Sequence, residues 1–291
     1  MQGNCQLDML APASAFRRAK PLLGTLVEVA CQAVNTDVAL HASEQAFYAV
    51  AQVQRLMSRH DCASELSSIN GLKPGVWFTI SKPTLEVLQF AQTLSQRTGG
   101  VFDVVSTSTC APAGSSWRDL ELDARNSCLR KHAPLRVDLG GIAKGYAVDE
   151  AVHALKAAGV GDGWVNAGGD LRAFGTHVLP LVVRAPWDLA ITIECGLLRN
   201  QAAATSASYL LASPQLKNGA TQKLVSTDAS FTVIANTCMA ADALTKVAAA
   251  GVTACPALDL VTLQHNARLF SHRAIKTCAD TQQDSWGAAG E

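Results

Sequence analysis

Apolar positions along this chain change their period several times, and each change predicts an element. Thr25 to Cys31 alternates apolar and polar residues, the period of a half-buried strand. Asp37 can cap a long helix that runs to about Ser58, with Ala39, Ala46, Val50, Val53 and Met57 near helical spacing. Val76 to Ile80 predicts a short strand. Ser81 or Lys82 then opens a helix carrying Leu85, Leu88, Ala91 and Leu94, which Gly99-Gly100 stops. Cys110 to Ser116 is small, polar and proline-bearing, the composition of a flexible loop. Leu135 to Leu139 is an apolar run that reads as a short buried strand, and Gly145 to Ala158 is the helix after it, ended by Gly159. Four strands follow at Gly163–Asn166, Leu171–Phe174, Leu179–Arg184 and Leu189–Glu194. Phe231 to Ala235 is a last core strand, feeding a helix from about Met239 to Ala250.

Strands that meander between helices predict an α+β fold, with a mixed or antiparallel sheet and packed helices, not a doubly wound one. The pattern divides the chain into a loose leader (1–20), one domain (21–275) and a small, polar tail (276–291) expected to be disordered. Neither an internal repeat nor a dividing linker is visible.

Composition narrows the function classes. The chain has 291 residues, and its 24 basic and 24 acidic side chains cancel, so no field favours nucleic acid. No apolar run approaches the ~18 residues that would mark a transmembrane helix. Cys5 is preceded only by Met1-Gln2-Gly3-Asn4, without a charged n-region or an apolar h-region, so the expected location is cytoplasmic. The nine cysteines are scattered and form no C-x-x-C pair, which suits free buried thiols better than disulfides or a zinc site.

The candidate chemistry begins at Asp138. From there to Asp149 the chain reads Asp-Leu-Gly-Gly-Ile-Ala-Lys-Gly-Tyr-Ala-Val-Asp: a strand ending on an acid, a glycine turn, then a helix with Lys144 in its first turn. Glycines let backbone N–H groups approach a phosphate, and a helix N-terminus favours its charge. A lysine there works against the helix dipole, and a bound anion would compensate it. The spacing matches neither G-x-G-x-x-G nor G-x-x-x-x-G-K-[ST]. Asn166 to Asp170 is a turn by composition. Phe102 alone reads as core, and the hydroxyls of Thr25, Thr205 and Ser206 are able to donate to phosphate. Asp242 stands in an alanine-rich helix start, where an unpaired carboxylate is costly. A first-turn dipole partner and a hard-cation ligand both account for it.

A resemblance joins these pieces. The Asp138–Asp149 segment looks like the signature of the FAD:protein FMN transferases, the ApbE family. Arg17 to Thr25 resembles that family's N-terminal strand entry, with Leu23 in the place of its methionine. Ser67-Ser68-Ile69-Asn70, Thr98 to Asp103, Trp164 to Leu171, Ala204-Thr205-Ser206 and Ala241 to Thr245 resemble further blocks, in the family's order. The resemblance implies transfer of FMN from FAD to a threonine or serine hydroxyl of a target flavoprotein, with release of AMP and help from Mg²⁺. It implies FAD contacts from Leu23, Phe102, Asp103, Asp138, Lys144, Asn166, Gly168, Gly169, Asp170 and Thr205. It also implies a cation held by Asp242, by a threonine hydroxyl and by the backbone oxygen of Gly141, with Asp242, Thr245 and Lys246 at the reaction centre.

Two departures stand out. The family's threonine lies four residues after the aspartate; here Lys246 holds that place and Thr245 lies three after. Residues i and i+4 stack on a helix, so Lys246 is able to pair with Asp242 with its ammonium in the cation's place. The family's histidine and aspartate of a later block are replaced, by spacing, with Lys223 and Ser226. The alternative reading is therefore a family member that binds FAD without transferring it, as a flavin carrier or maturation partner.

Overall fold

The computed structural model describes residues 16–106, 114–176, 178–207, 217–225, 228–251 and 261–273. The chain starts with the hairpin β1 (Phe16–Leu22) and β2 (Thr25–Gln32), then helices α1 (Thr36–Met57) and α2 (Glu65–Gly71). Next come β3 (Trp77–Thr79), α3 (Lys82–Arg97), β4 (Val105–Ser106), β5 (Leu120–Asp123), β6 (Cys128–Lys131) and β7 (Arg136–Val137). Helix α4 (Ala143–Ala157) leads into β8 (Asp162–Ala167), β9 (Asp170–Phe174), β10 (Val178–Ala185) and β11 (Asp188–Arg199). The last elements are β12 (Ala202–Ala207), β13 (Ser230–Ala235), α5 (Cys238–Ala249) and β14 (Arg268–His272).

Seven strands form one sheet in the order β1-β2-β8-β9-β12-β13-β14. Every pairing in it is antiparallel, so this is the antiparallel form of the predicted α+β fold. Strand periodicity then covers both faces. Val27, Val29, Val165, Ala202, Ala204, Phe231 and Val233 belong to the larger core, which α1, α4 and α5 supply from one side. Ala30, Trp164, Leu171, Ala203 and Ile234 point the other way, into a smaller core with Leu179, Leu181 and Val183 of the β10–β11 hairpin. The helical stripe on α1 read from sequence is buried throughout, from Ala39 to Met57. Among the described residues no helix is long and apolar enough to cross a membrane.

Some boundaries differ from the sequence pattern. β1 begins at Phe16 and pairs along its length with β2, so residues 16–20 belong to the sheet and not to a leader. The cap of α1 is Asn35, extended at φ −156°, whose side chain accepts from the Val38 N–H; Asp37 falls inside the first turn. The run Leu135–Leu139 contributes only the two-residue β7, paired with β4. Helix α2, the β5–β6 hairpin, β12 and β14 have no counterpart in the pattern read above. The tail from 276, and residues 110–113 of the proposed loop, lie outside the described residues.

Two tight turns share one end of the large sheet. Leu23 and Gly24 link β1 to β2 with positive φ (55° and 71°), and Gly168 and Gly169 link β8 to β9 (65° and 105°). Because β2 pairs with β8, these turns are neighbours: a Cβ on Gly168 would lie 2.4 Å from Thr25 Oγ1.

Candidate functional site

The glycine turn is anchored from below. Asn70 brackets Val137, donating from Nδ2 to its carbonyl at 3.0 Å and accepting its N–H at Oδ1 at 2.7 Å. Lys131, 1% exposed, donates to the carbonyls of Asn70 and Leu135. Asp138 then donates its own N–H to the Val104 carbonyl. The strand entering the turn is thus held on three sides, although it is only two residues long.

Above that anchor, Asp138 accepts the Gly140 N–H at 2.8 Å and pairs with Arg59 at 2.6 Å. Helix α4 starts with no side-chain cap of its own at Ile142. Its first turn is served by α5 instead: Asp242 Oδ2 accepts the Gly145 N–H at 3.1 Å. The reciprocal contact comes from Asp149 of α4, whose two oxygens accept the Cys238 and Met239 N–H groups at the start of α5, each at 2.9 Å. Asp149 also pairs with Arg172 at 2.6 Å. Each helix therefore supplies a carboxylate to the other's N-terminal turn, where the dipole favours it. Only glycine permits this approach, since a Cβ at 145 would lie 2.3 Å from the Cys238 carbonyl oxygen.

Four charges meet beside the glycine turn. Lys144 bonds to Asp170 at the end of the β8–β9 turn. Lys246 Nζ donates to Asp242 Oδ1 at 2.7 Å and to Thr245 Oγ1 at 3.0 Å, and the Thr245 hydroxyl donates to the Asp242 backbone carbonyl at 2.7 Å. Asp170, Asp242 and Thr245 are buried. Burial alone would raise the pKa of Asp242, but Lys246 and Lys144 pull it below the usual carboxylate range. Asp170 goes the other way, raised by its burial and by the Asp242 charge against the pull of Lys144. Burial disfavours the Lys144 ammonium, yet Asp170 and Asp242 hold its pKa above the usual lysine value.

The other predicted residues divide by position. Asn166 accepts the Gly169 N–H at 3.0 Å and donates to Glu28, so its amide shapes the β8–β9 turn. Gly141 faces Lys246 and Phe102: a Cβ built on it would lie 3.3 Å from Lys246 Cγ and 3.9 Å from the Phe102 ring. Leu23, at the neighbouring hairpin turn, donates its N–H to Gln54 at 2.6 Å. The Asp103 carboxylate turns into its own loop, accepting the Val105 and Trp117 N–H groups. Thr205 bonds to Thr232 at 3.0 Å, and strand alternation puts both on the hairpin side of the sheet, away from α5. Lys223 is exposed on the 217–225 segment, whose Gly219 donates to the Val101 carbonyl beside the Gly99-Gly100 loop; Ser226 lies outside the described residues.

The ApbE family profile matches residues 23–119 and 107–265. The chain belongs to the ApbE family. Among its relatives is the FAD:protein FMN transferase of Rhodobacter capsulatus, 27% identical over 69% of this chain and 43% of the relative. The FAD:protein FMN transferase of Vibrio cholerae is 31% identical over 48% of this chain and 47% of the relative. The chain thus spans about half the length of the curated relatives it matches. Two solved structures share the fold. The flavin transferase ApbE from Vibrio cholerae has a TM-score of 0.73 at 22% identity, over 89% of this chain and 93% of that one. The apo flavinyl transferase ApbE of Pseudomonas stutzeri also has a TM-score of 0.73, at 19% identity over 90% and 92%.

Within this ApbE fold the donor set does not fit a magnesium ion. Among the described residues no three His, Cys, Asp or Glu side chains gather for a metal. Each Asp242 oxygen already accepts a hydrogen bond, one from the Gly145 N–H and one from Lys246, and the Thr245 hydroxyl is bonded to the same ammonium. Mg²⁺ needs near-octahedral oxygen at about 2.0–2.1 Å, which these groups cannot offer with the lysine between them.

Arg59, Asp149 and Arg172 escape the sequence pattern. Arg59 follows the end of α1 with no local signal that it reaches Asp138, 79 residues on. Asp149 closes the quoted motif, but its task lies on another helix.

Proposed function

We propose that this chain binds FAD and passes its FMN half to a threonine or serine hydroxyl of a target flavoprotein, releasing AMP. The observation that carries this reading is the Gly140-Gly141 turn at the start of α4, with Arg59 paired to Asp138 before it, Lys144 following it and Lys246 lying against Gly141. Three cations near exposed backbone at a helix start suit a pyrophosphate. The turn Asn166–Asp170 is one wall of the proposed site, and Phe102 and Leu23 are its apolar contacts. Membership of the ApbE family and the names of its relatives support the same chemistry.

In the reaction the acceptor oxygen bonds to the FMN phosphorus from the side opposite the bridging oxygen. The acceptor releases its proton to solvent, the bond from that phosphorus to the bridging oxygen breaks, and AMP leaves with that oxygen and the bonding pair. Little covalent work falls to the protein in such a transfer; positioning and charge stabilisation dominate. In this reading Lys144 and Lys246 offset the charge that builds on the departing AMP.

The test is to incubate the purified chain with FAD and a flavoprotein domain carrying an acceptor threonine. AMP release together with a covalent FMN mass increment on the target is expected. Bound FAD without AMP would overturn the transfer, and an absence of FAD binding would overturn the whole reading.

A further inference from the structure

We infer that Lys246 is a tethered cation: its ammonium takes the position of a divalent ion, and the chain binds the pyrophosphate of its dinucleotide without a metal. This rests on the flavin-nucleotide reading above and goes beyond it. Among the donors that the family resemblance implies for Mg²⁺ are the Asp242 carboxylate, a threonine hydroxyl and the backbone of Gly141. Lys246 Nζ is bonded to groups of the first two kinds here, Asp242 Oδ1 at 2.7 Å and Thr245 Oγ1 at 3.0 Å. The lysine stem also lies against Gly141: a Cβ there would meet Lys246 Cγ at 3.3 Å and Cε at 3.8 Å.

The lysine is held in this pose. Its side chain is 17% exposed and its partner carboxylate 0%. It follows Asp242 at i+4, one helical turn away, so the pair forms within α5 without any loop rearrangement. Nζ-to-oxygen distances of 2.7 and 3.0 Å are ordinary for an ammonium. An ion at about 2.0–2.1 Å from the same oxygens would collide with Nζ and be repelled by its charge. The two occupants exclude each other. A lysine supplies one charge where the ion supplies two, and it cannot gather several oxygens. Lys144 and Arg59 stand at the edge of the same turn, each paired with a carboxylate, and add hydrogen-bond donors for a pyrophosphate without adding net charge. A buried ion pair is weak evidence of stability, so retaining one here favours a role in recognition.

The test uses the full chain and two probes, FAD and Mn²⁺. FAD affinity is measured by flavin fluorescence in EDTA and in millimolar Mg²⁺ at matched ionic strength, and bound Mn²⁺ by electron paramagnetic resonance. The wild type is expected to bind FAD equally, within about twofold, in both buffers and to bind no Mn²⁺. Lys246→Thr should lose at least tenfold in FAD affinity in EDTA, regain it in Mg²⁺ and bind Mn²⁺. Lys246→Gln, which keeps length and polarity, should lose FAD affinity in both buffers while its circular dichroism stays that of the wild type. Wild-type Mn²⁺ binding at this site, or FAD binding that requires Mg²⁺, overturns the inference. A wild type that binds neither FAD nor Mn²⁺ overturns the flavin reading instead, and the inference with it.

Discussion

Gly145→Ala sets two opposed effects against each other at the contact between α4 and α5. Alanine is the better helix former by about 0.8–1.0 kcal/mol, so propensity alone predicts a gain. The new Cβ, however, would stand 2.3 Å from the Cys238 carbonyl oxygen, 2.6 Å from its carbon and 2.9 Å from Asp242 Cβ. Two of these atoms are backbone and cannot swing aside, so the helices must separate by roughly 1 Å to restore van der Waals contact. Overpacking of this kind costs about 1–3 kcal/mol. Separation also weakens the Gly145 N–H bond to the Asp242 carboxylate, and hydrogen bonds to charged groups are worth about 1.5–3 kcal/mol. The balance is a loss of about 2–5 kcal/mol. At about 2–4 °C per kcal/mol for a domain of this size, Tm should fall by roughly 4–20 °C. Gly159→Ala is the control: φ is +83° there, but nothing lies within 4 Å, so only about 1–2 kcal/mol of backbone strain applies. Scanning calorimetry on both variants decides the matter. A Gly145→Ala protein that melts at or above the wild type would refute the claim that this glycine is needed for close helix approach.

Two further outcomes are expected. Asp149→Asn keeps the shape but turns an amide donor toward one of the α5 N–H groups and leaves the partly buried Arg172 charge without its partner. It should cost about 3–5 kcal/mol in urea denaturation, and Arg172→Met in the same chain should restore part of that; strictly additive losses would contradict the coupling. His265 and His272 both have pKa values lowered by burial. Folding favours their neutral forms, so their contribution is present above the unfolded imidazole pKa of about 6.5 and is lost as pH falls through the lower folded values. Tm should drop on acidification across that window, and His272→Gln, which removes the partner of Cys195, should make the drop shallower. An unchanged slope would exclude His272 as a contributor.

The local pattern was legible wherever the chain itself supplied the period. α3 and its Ser81 cap, the apolar stripe of α1, and β8 through β11 are all placed by alternation, helical spacing and glycine punctuation. The elements that escaped had weaker local signals. β12 is alanine-rich and reads as neither strand nor helix, and α2 is a single short helix in a polar stretch. β7 is shorter than its apolar run because Asn70 and Val104, not a neighbouring long strand, satisfy the backbone around it.

From the sequence alone came the order of the family's blocks, the glycine turn with Lys144 behind it, and the i, i+4 relation that makes an Asp242–Lys246 pair available. Those are properties of spacing along one chain, and a helix converts spacing directly into direction. Tertiary structure decided the rest. It set Asp149 and Asp242 on each other's helix starts, brought Arg59 to Asp138, and turned Asp103 and Thr205 toward partners of their own. The reason is physical: a buried carboxylate or ammonium must find its counter-charge or donor wherever packing brings one, and packing joins residues that spacing cannot relate.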